Sequence, residues 1–429
     1  MDVIRIEGGH PISGEVTVEG AKNSALKLMA ATIMAPGVTT LTNVPNISDV
    51  HIMGKVLKRL GASITVAGKH ELVIDTSSVD KWETPYELVA KMRASTAVLG
   101  PLLARFGEAV VAMPGGCNIG ARKIDLHILG LEALGVEFSV EHGYIHATTP
   151  NGIVGANVLL EFASVGATEN LMMASVHAKG TTVIDNAARE PEIVDLANLL
   201  NEMGAKVRGA GSPTIEIEGV EKLHPVESHR VVGDRIEAAT FLAIGGLTGG
   251  PVRVRGFEPV HLGLVLKKFE LMGIDIQRGD HEVTASRTKP LKSVDIQTLP
   301  FPGFPTDVQA QAMCLLSVAE GDCIITENVF ENRFMFASEL DRMGADITIE
   351  GHHAIVHGVP SLSGAQVKSP DLRGGASLAM AGLIADGVTT ISDIHHIDRG
   401  YEGFVEKLQA LGARAERTSI PDPDVELDD

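Results

Sequence analysis

Six near-copies of one phrase constrain this chain more than anything else in it. An amphipathic run ends in Leu/Met-Gly and passes into a strand-like run, closing at Gly61, Gly135, Gly204, Gly273, Gly344 and Gly412. The spacings are 74, 69, 69, 71 and 68 residues. A repeat of this length exceeds the usual solenoid period of about 20–50 residues. It suits a whole supersecondary unit, and each glycine is expected to end its helix in the left-handed conformation. Each unit holds a second helix that is apolar all round and therefore expected to be buried: 23–35, 86–106, 168–179, 235–247, 307–320 and 376–386. Glycine ends each of these as well, and a short β-branched strand follows.

The unit reads βαβαββ, and six units make an α/β protein of two domains, three units in each. The last unit stops after Ala415, whereas the first 20 residues carry strands with no helix before them. The N-terminus is therefore expected to complete the sixth unit. That gives one discontinuous domain, 1–21 plus 232–429, and one continuous domain, 22–231. Residues 419–429 read as an acidic tail. A cleft between domains is a usual ligand site.

Composition narrows the partners. The net charge of −19 argues against nucleic acid or an anionic membrane surface, both of which need a basic face. No apolar run is long enough to span a bilayer, no signal core opens the chain, and three cysteines fit a reducing cytoplasmic setting. Oligomeric state stays open. The pairs His352-His353 and His395-His396 are expected on opposite faces of strands and are poor metal sites.

One loop stands apart. Met113-Pro114-Gly115-Gly116-Cys117-Asn118-Ile119-Gly120-Ala121-Arg122 joins a strand-like run to a helix-like run. A thiol in a glycine-rich segment beside a guanidinium is poised to ionise, although a surface loop with an incidental cysteine fits the residues alone. Cys314 and Cys323 read as core residues. Several helices begin at loaded positions: Lys22-Asn23, Ser164-Val165-Gly166, Asp234-Arg235, Thr306-Asp307, Asp371-Leu372-Arg373, and Arg122, Arg333 and Arg399 before the amphipathic helices. Helix N-termini attract anions, and Lys22, Arg93, Arg122, Arg373 and Arg399 add a cationic set in an acidic protein. Arginines that merely pair with surface acids are the competing explanation.

These motifs resemble the enolpyruvyl transferases, in the branch that acts on a nucleotide sugar. The resemblance runs over residues 1–418 through Gly20-Ala21-Lys22-Asn23, the Cys117 loop, Ser164-Val165-Gly166-Ala167-Thr168, Ala188-Arg189-Glu190-Pro191-Glu192, Pro302-Gly303-Phe304-Pro305-Thr306-Asp307, Phe330-Glu331-Asn332-Arg333, Asp371-Leu372-Arg373 and His396-Ile397-Asp398-Arg399-Gly400-Tyr401. It implies an inside-out α/β barrel of two pseudo-threefold domains. It implies transfer of the enolpyruvyl group of phosphoenolpyruvate to the 3-hydroxyl of UDP-N-acetylglucosamine, with phosphate released, as the first committed step of peptidoglycan synthesis. No metal or organic cofactor is implied.

Carried over by resemblance, the catalytic residues are Cys117, Asp307, Lys22 and Arg399: Cys117 is the general acid and the site of a pyruvate or fosfomycin adduct, and Asp307 is the base or proton acceptor. Lys22, Asn23, Arg122, Arg373 and Arg399 hold phosphoenolpyruvate. Asn23, Arg93, Arg122, Lys123, Ile124, Asp125, Leu126, Ser164, Val165, Gly166, Asp307 and Val329 contact the nucleotide sugar. Phe162, Phe336 and Lys123 depart from the family's common residues. The shikimate-using branch shares the fold but lacks the cysteine loop. A silent sugar-nucleotide sensor would be expected to have lost Cys117, Asp307 or Arg399.

Overall fold

A computed structural model describes residues 1–89, 93–113 and 124–421, with the side chains of residues 89 and 93–95 outside the described set. The described chain falls into two compact units. One comprises residues 1–18 and 234–421, and the other residues 19–113 and 124–233.

Six sheets repeat one pattern. In the sheet built on Thr181–Asp185, Asn157–Leu159 runs parallel on one side and Thr214–Glu218 antiparallel on the other, with Lys206–Arg208 beyond it. The sheets built on Val38–Thr42, Val252–Arg255, Asp322–Thr326 and Val388–Ser392 have the same order. The sheet built on Glu108–Ala112 has three strands, and an isolated parallel bridge from Glu83 to Val110 fills the fourth place. Thr214–Glu218, Val252–Arg255 and Glu282–Ser286 alternate between buried and more exposed residues, so their sheets keep one face to solvent.

The buried helices lie inside these sheets. Thirteen of the fourteen residues of Arg235–Thr248 are buried, as are most of Leu372–Ile384. Each unit has its own apolar core around such helices. This is the inside-out arrangement, with helices at the centre and sheets outside. Their bodies are not free of charge: Lys27 meets Glu169 at 2.8 Å, and Lys407 meets Glu237 at 2.6 Å. Burial raises the Glu169 carboxyl's pKa, against the pull of Lys27.

All six Leu/Met-Gly glycines have positive φ, from +88° at Gly135 to +113° at Gly61. At Gly61 a Cβ would also sit 2.6 Å from the Ser78 carbonyl, so both backbone conformation and space select glycine.

Three expectations change. Only the first N-terminal strand completes the sixth unit. Asp2–Glu7 lies between Val388–Ser392 and Arg414–Ser419, whereas Gly14–Thr17 joins the fourth sheet, parallel to Val252–Arg255. In the other unit, His229–Arg230 takes the equivalent parallel place beside Val38–Thr42. The helix expected over 86–106 is broken into Tyr86–Val89, a 3-10 turn Arg93–Val98 and Leu99–Phe106. Pro101 explains the last break: proline is tolerated in a first turn, but its ring opposes the carbonyl four residues earlier. His395 and His396 lie in the 3-10 turn Ile394–Arg399 rather than a strand, with ring centroids 4.1 Å apart. Among the described residues no helix is long and apolar enough to cross a membrane.

Candidate active site

In the first unit the site is organised around Asp307. This residue sits in the 3-10 turn Thr306–Val308, ahead of the buried helix Gln309–Leu316. Two arginines grip it from opposite sides. Arg333 Nη2 donates to Oδ1 at 2.9 Å, and Arg373 Nη2 donates to Oδ2 at 3.1 Å. Both arginines are 3% exposed, while Asp307 is 24% exposed and reachable. Two cations face one carboxylate here, with Asp234 also acting on Arg373.

Arg373 owes its place to a helix start. Asp371 caps Leu372–Ile384, its Oδ1 accepting from the backbone N–H of Arg373 and Gly374. The helix begins four residues earlier than expected because its two glycines are fully helical. A Cβ at Gly374 would meet Phe336 Cβ at 2.7 Å, and one at Gly375 would meet Ser369 Oγ at 2.1 Å. Phe336 thus packs under the Arg373 turn. Burial works against the Arg373 charge, but Tyr401, Asp307 and Asp234 outweigh it and raise the pKa further.

A second carboxylate shapes the neighbouring backbone. Buried Glu327 accepts from Thr298 and Thr306 hydroxyls, each at 2.9 Å, and from the N–H groups of Val329 and Phe330. Val329 is therefore held beside the Asp307 turn. Arg399 ends the turn Ile394–Arg399, and burial, His395 and Arg399 together lower the His396 pKa.

In the second unit Lys22 opens the buried helix Lys22–Ala31, with Asn23 next to it. Lys22 Nζ lies 2.9 Å from buried Asp49 Oδ2, an acid the sequence reading did not associate with it. The Ser164 hydroxyl caps Val165–Ser175 by accepting from Ala167 N at 3.3 Å. His127 packs against this helix start, where a Cβ on Gly166 would come within 3.0 Å of the ring.

Asn170 fixes that histidine. Its Oδ1 accepts from Gly100 N at 2.8 Å, so its Nδ2 faces both Thr96 O and His127 Nδ1. The neutral ring then accepts at Nδ1 and carries its proton on Nε2. Ile124, Asp125 and Leu126 lie just before or at the start of Asp125–Ala133, where Asp125 Oδ1 accepts from Leu126 N. The structure thus brings Ser164, Val165, Gly166 and the 124–126 turn together around His127. Phe162 is exposed.

Not every expected residue falls in the described set. Cys117, Arg122 and Lys123 lie outside the described residues, as does the side chain of Arg93. Glu327, Asp49 and His127 were not singled out in the sequence, and Arg333 was read as a helix start and part of a motif, with no role at the site. Their side-chain partners are 21 to 43 residues away in the chain, and no local pattern announces such pairs. Among the described residues no group of three or more His, Cys, Asp or Glu side chains is placed to hold a metal ion.

Two units with central helices and outer sheets have the fold of the enolpyruvyl transferases. The enolpyruvyl transferase NikO from Streptomyces tendae superposes with a TM-score of 0.88 at 28% identity, covering 98% of this chain and 99% of its own. EPSP synthase from Acinetobacter baumannii shares the fold, with a TM-score of 0.77 at 20% identity. The family model for EPSP synthase (3-phosphoshikimate 1-carboxyvinyltransferase) matches residues 6–408.

Curated relatives are nearer. The UDP-N-acetylglucosamine 1-carboxyvinyltransferase of Gluconacetobacter diazotrophicus is 50% identical over 97% of this chain and 99% of its own length. UDP-N-acetylglucosamine 1-carboxyvinyltransferase 2 of Carboxydothermus hydrogenoformans is 52% identical over 98% and 100%. The chain belongs to the enolpyruvyl transferase family, in its UDP-N-acetylglucosamine 1-carboxyvinyltransferase branch.

Proposed function

We propose that this enzyme transfers the enolpyruvyl group of phosphoenolpyruvate to the 3-hydroxyl of UDP-N-acetylglucosamine and releases phosphate, the first committed step of peptidoglycan synthesis. The observation that carries this reading is half-identity, over nearly the full length, to relatives named for that reaction. The shikimate-using protein is only 20% identical.

The chemistry asks for three things. The sugar oxygen must lose its proton as it bonds to C2 of phosphoenolpyruvate, and C3 must gain one. The tetrahedral adduct must then lose a proton from C3 as the C2–O bond to phosphate breaks. Asp307, exposed enough to be reached and fixed by two arginines, accepts the hydroxyl proton. Cys117 protonates C3. Arg373, with Nε and Nη1 buried and lacking hydrogen-bond partners, takes the donor's carboxylate together with Arg399. Lys22, Arg122 and Arg399 hold the phosphate, and Lys22 exchanges its Asp49 contact for that of the substrate. Asn23, Arg93, the 122–126 segment, Ser164 to Gly166, Asp307 and Val329 hold the nucleotide sugar. We assign the enzyme to the cytoplasm, a reducing setting that its three cysteines in 429 residues fit.

Mass spectrometry of the nucleotide after incubation with both substrates tests the reading. The sugar nucleotide should gain one enolpyruvyl group, in an amount equal to the phosphate released. An unchanged nucleotide would reject the proposal.

A further inference from the structure

Arg373 reaches Asp307 with one nitrogen only, and its remaining buried N–H groups are costly without partners. A guanidinium held at one corner can swing. What faces it is the ring of Tyr401, whose centroid lies 5.4 Å from the Arg373 Cζ. Tyr401 is 2% exposed and leans on Phe404 at 5.1 Å, which in turn meets Phe241 at 6.0 Å.

The far end of the phenol is tied as well. Thr240 Oγ1 donates to Ile236 O at 2.9 Å and accepts from Gln311 Nε2 at 2.8 Å. A hydroxyl has one proton and two lone pairs. With the proton used and one lone pair filled, Tyr401 Oη, 2.9 Å away, donates into the other. Aromatic packing fixes the ring, and the Thr240–Gln311 pair fixes its tip.

We propose that Tyr401 is a positioning residue for this reaction: its ring sets the plane of Arg373, keeping Nη2 on Asp307 and turning Nε and Nη1 toward the carboxylate of phosphoenolpyruvate. The inference rests on the assignment of Arg373 to that carboxylate. The ring face attracts the cation, and the phenol oxygen adds a weaker pull on the same guanidinium.

The test is steady-state kinetics of the full chain with Tyr401→Phe, Tyr401→Leu and Thr240→Val. Tyr401→Leu should raise KM for phosphoenolpyruvate about tenfold, the scale of a buried cation–π contact, and leave KM for the nucleotide sugar within about twofold. Tyr401→Phe keeps the ring and should stay within about threefold of the natural enzyme. Equal shifts in both KM values, or Phe behaving as Leu, would overturn the proposal.

Should Tyr401→Leu fail to fold, the two conservative variants decide. Tyr401→Phe and Thr240→Val share the loss of the Tyr401–Thr240 bond, although each also removes a contact with Gln311, so the loss in the double variant should fall well short of the sum of the two single losses for phosphoenolpyruvate. Additive losses would overturn the proposal. Absence of turnover in the natural enzyme would instead reject the functional reading on which it rests.

Discussion

Arg373 donates Nη2 to Asp307 Oδ2 across 3.1 Å while its other nitrogens remain open, so the proposed base and the proposed carboxylate ligand are in direct contact. When a substrate carboxylate takes those open donors, the pull on Asp307 weakens and its oxygen becomes the better proton acceptor. Donor arrival and base readiness are thereby coupled through one side chain.

That coupling makes Asp307 testable. Asp307→Ala should lower kcat by about 10²–10⁴, the usual contribution of a positioned general base. Calorimetric affinity for the nucleotide sugar should stay within about tenfold, because the loss lies in the transition state. A collapse of nucleotide affinity with kcat preserved would remove Asp307 from proton transfer.

Arg399→Ala should weaken phosphoenolpyruvate more than the nucleotide sugar, since its proposed ligands are the small substrate's phosphate and carboxylate. Calorimetry on each substrate separately gives the ranking. The reverse order would move Arg399 to the nucleotide.

Thiol chemistry gives a third prediction. Burial pushes the Cys314 thiol up to about 12 and, with help from Asp295, the Cys323 thiol up to about 11, so both stay protonated and inert near neutrality. The resemblance assigns fosfomycin alkylation to Cys117. Inactivation should be time-dependent, with the adduct on the Cys117 peptide by mass mapping. Cys117→Asp retains a proton donor and should be active and resistant, whereas Cys117→Ser should lose most turnover. An adduct on Cys314 or Cys323 would contradict this assignment.

His229 predicts a pH dependence of stability. Its Nε2 lies 3.0 Å from Asp195 Oδ1 and its Nδ1 2.8 Å from Glu202 Oε2. Burial alone would lower its pKa, but bonds to the two carboxylates prevail and raise it. Asp195 also accepts from Ser24 Oγ at 2.5 Å and from Val232 N at 3.0 Å, so the imidazolium anchors the closing strand of its unit. A raised folded-state pKa contributes stability that is complete below the unfolded value of about 6.5. It is lost as pH rises through the folded value. Thermal unfolding of the natural chain against His229→Gln should therefore differ most below about pH 6.5 and converge at alkaline pH. A constant difference would show that His229 acts by packing alone.

What could be read in the sequence was local or periodic. The glycines at 61, 135, 204, 273, 344 and 412 set the unit length because each needs φ > 0. Lys22, Ser164 and Asp371 stood out because helix starts carry polar residues. Gly374 and Gly375 looked like loop residues because their reason for being glycine is Phe336 and Ser369, contacts the chain makes only when folded. Gly14–Thr17 was misplaced for the same reason: strand pattern names a strand, not its neighbour. Asp307 with Arg333, Lys22 with Asp49, and Arg373 on Tyr401 are all tertiary pairs without a sequence period.

Acceptor choice is the most direct test of the central claim. Phosphate release from phosphoenolpyruvate should be measured with UDP-N-acetylglucosamine and, separately, with shikimate 3-phosphate, the acceptor of the branch that shares this fold. Release should require the nucleotide sugar and be absent with the shikimate compound. Equal release with shikimate 3-phosphate, or none with UDP-N-acetylglucosamine, would contradict it.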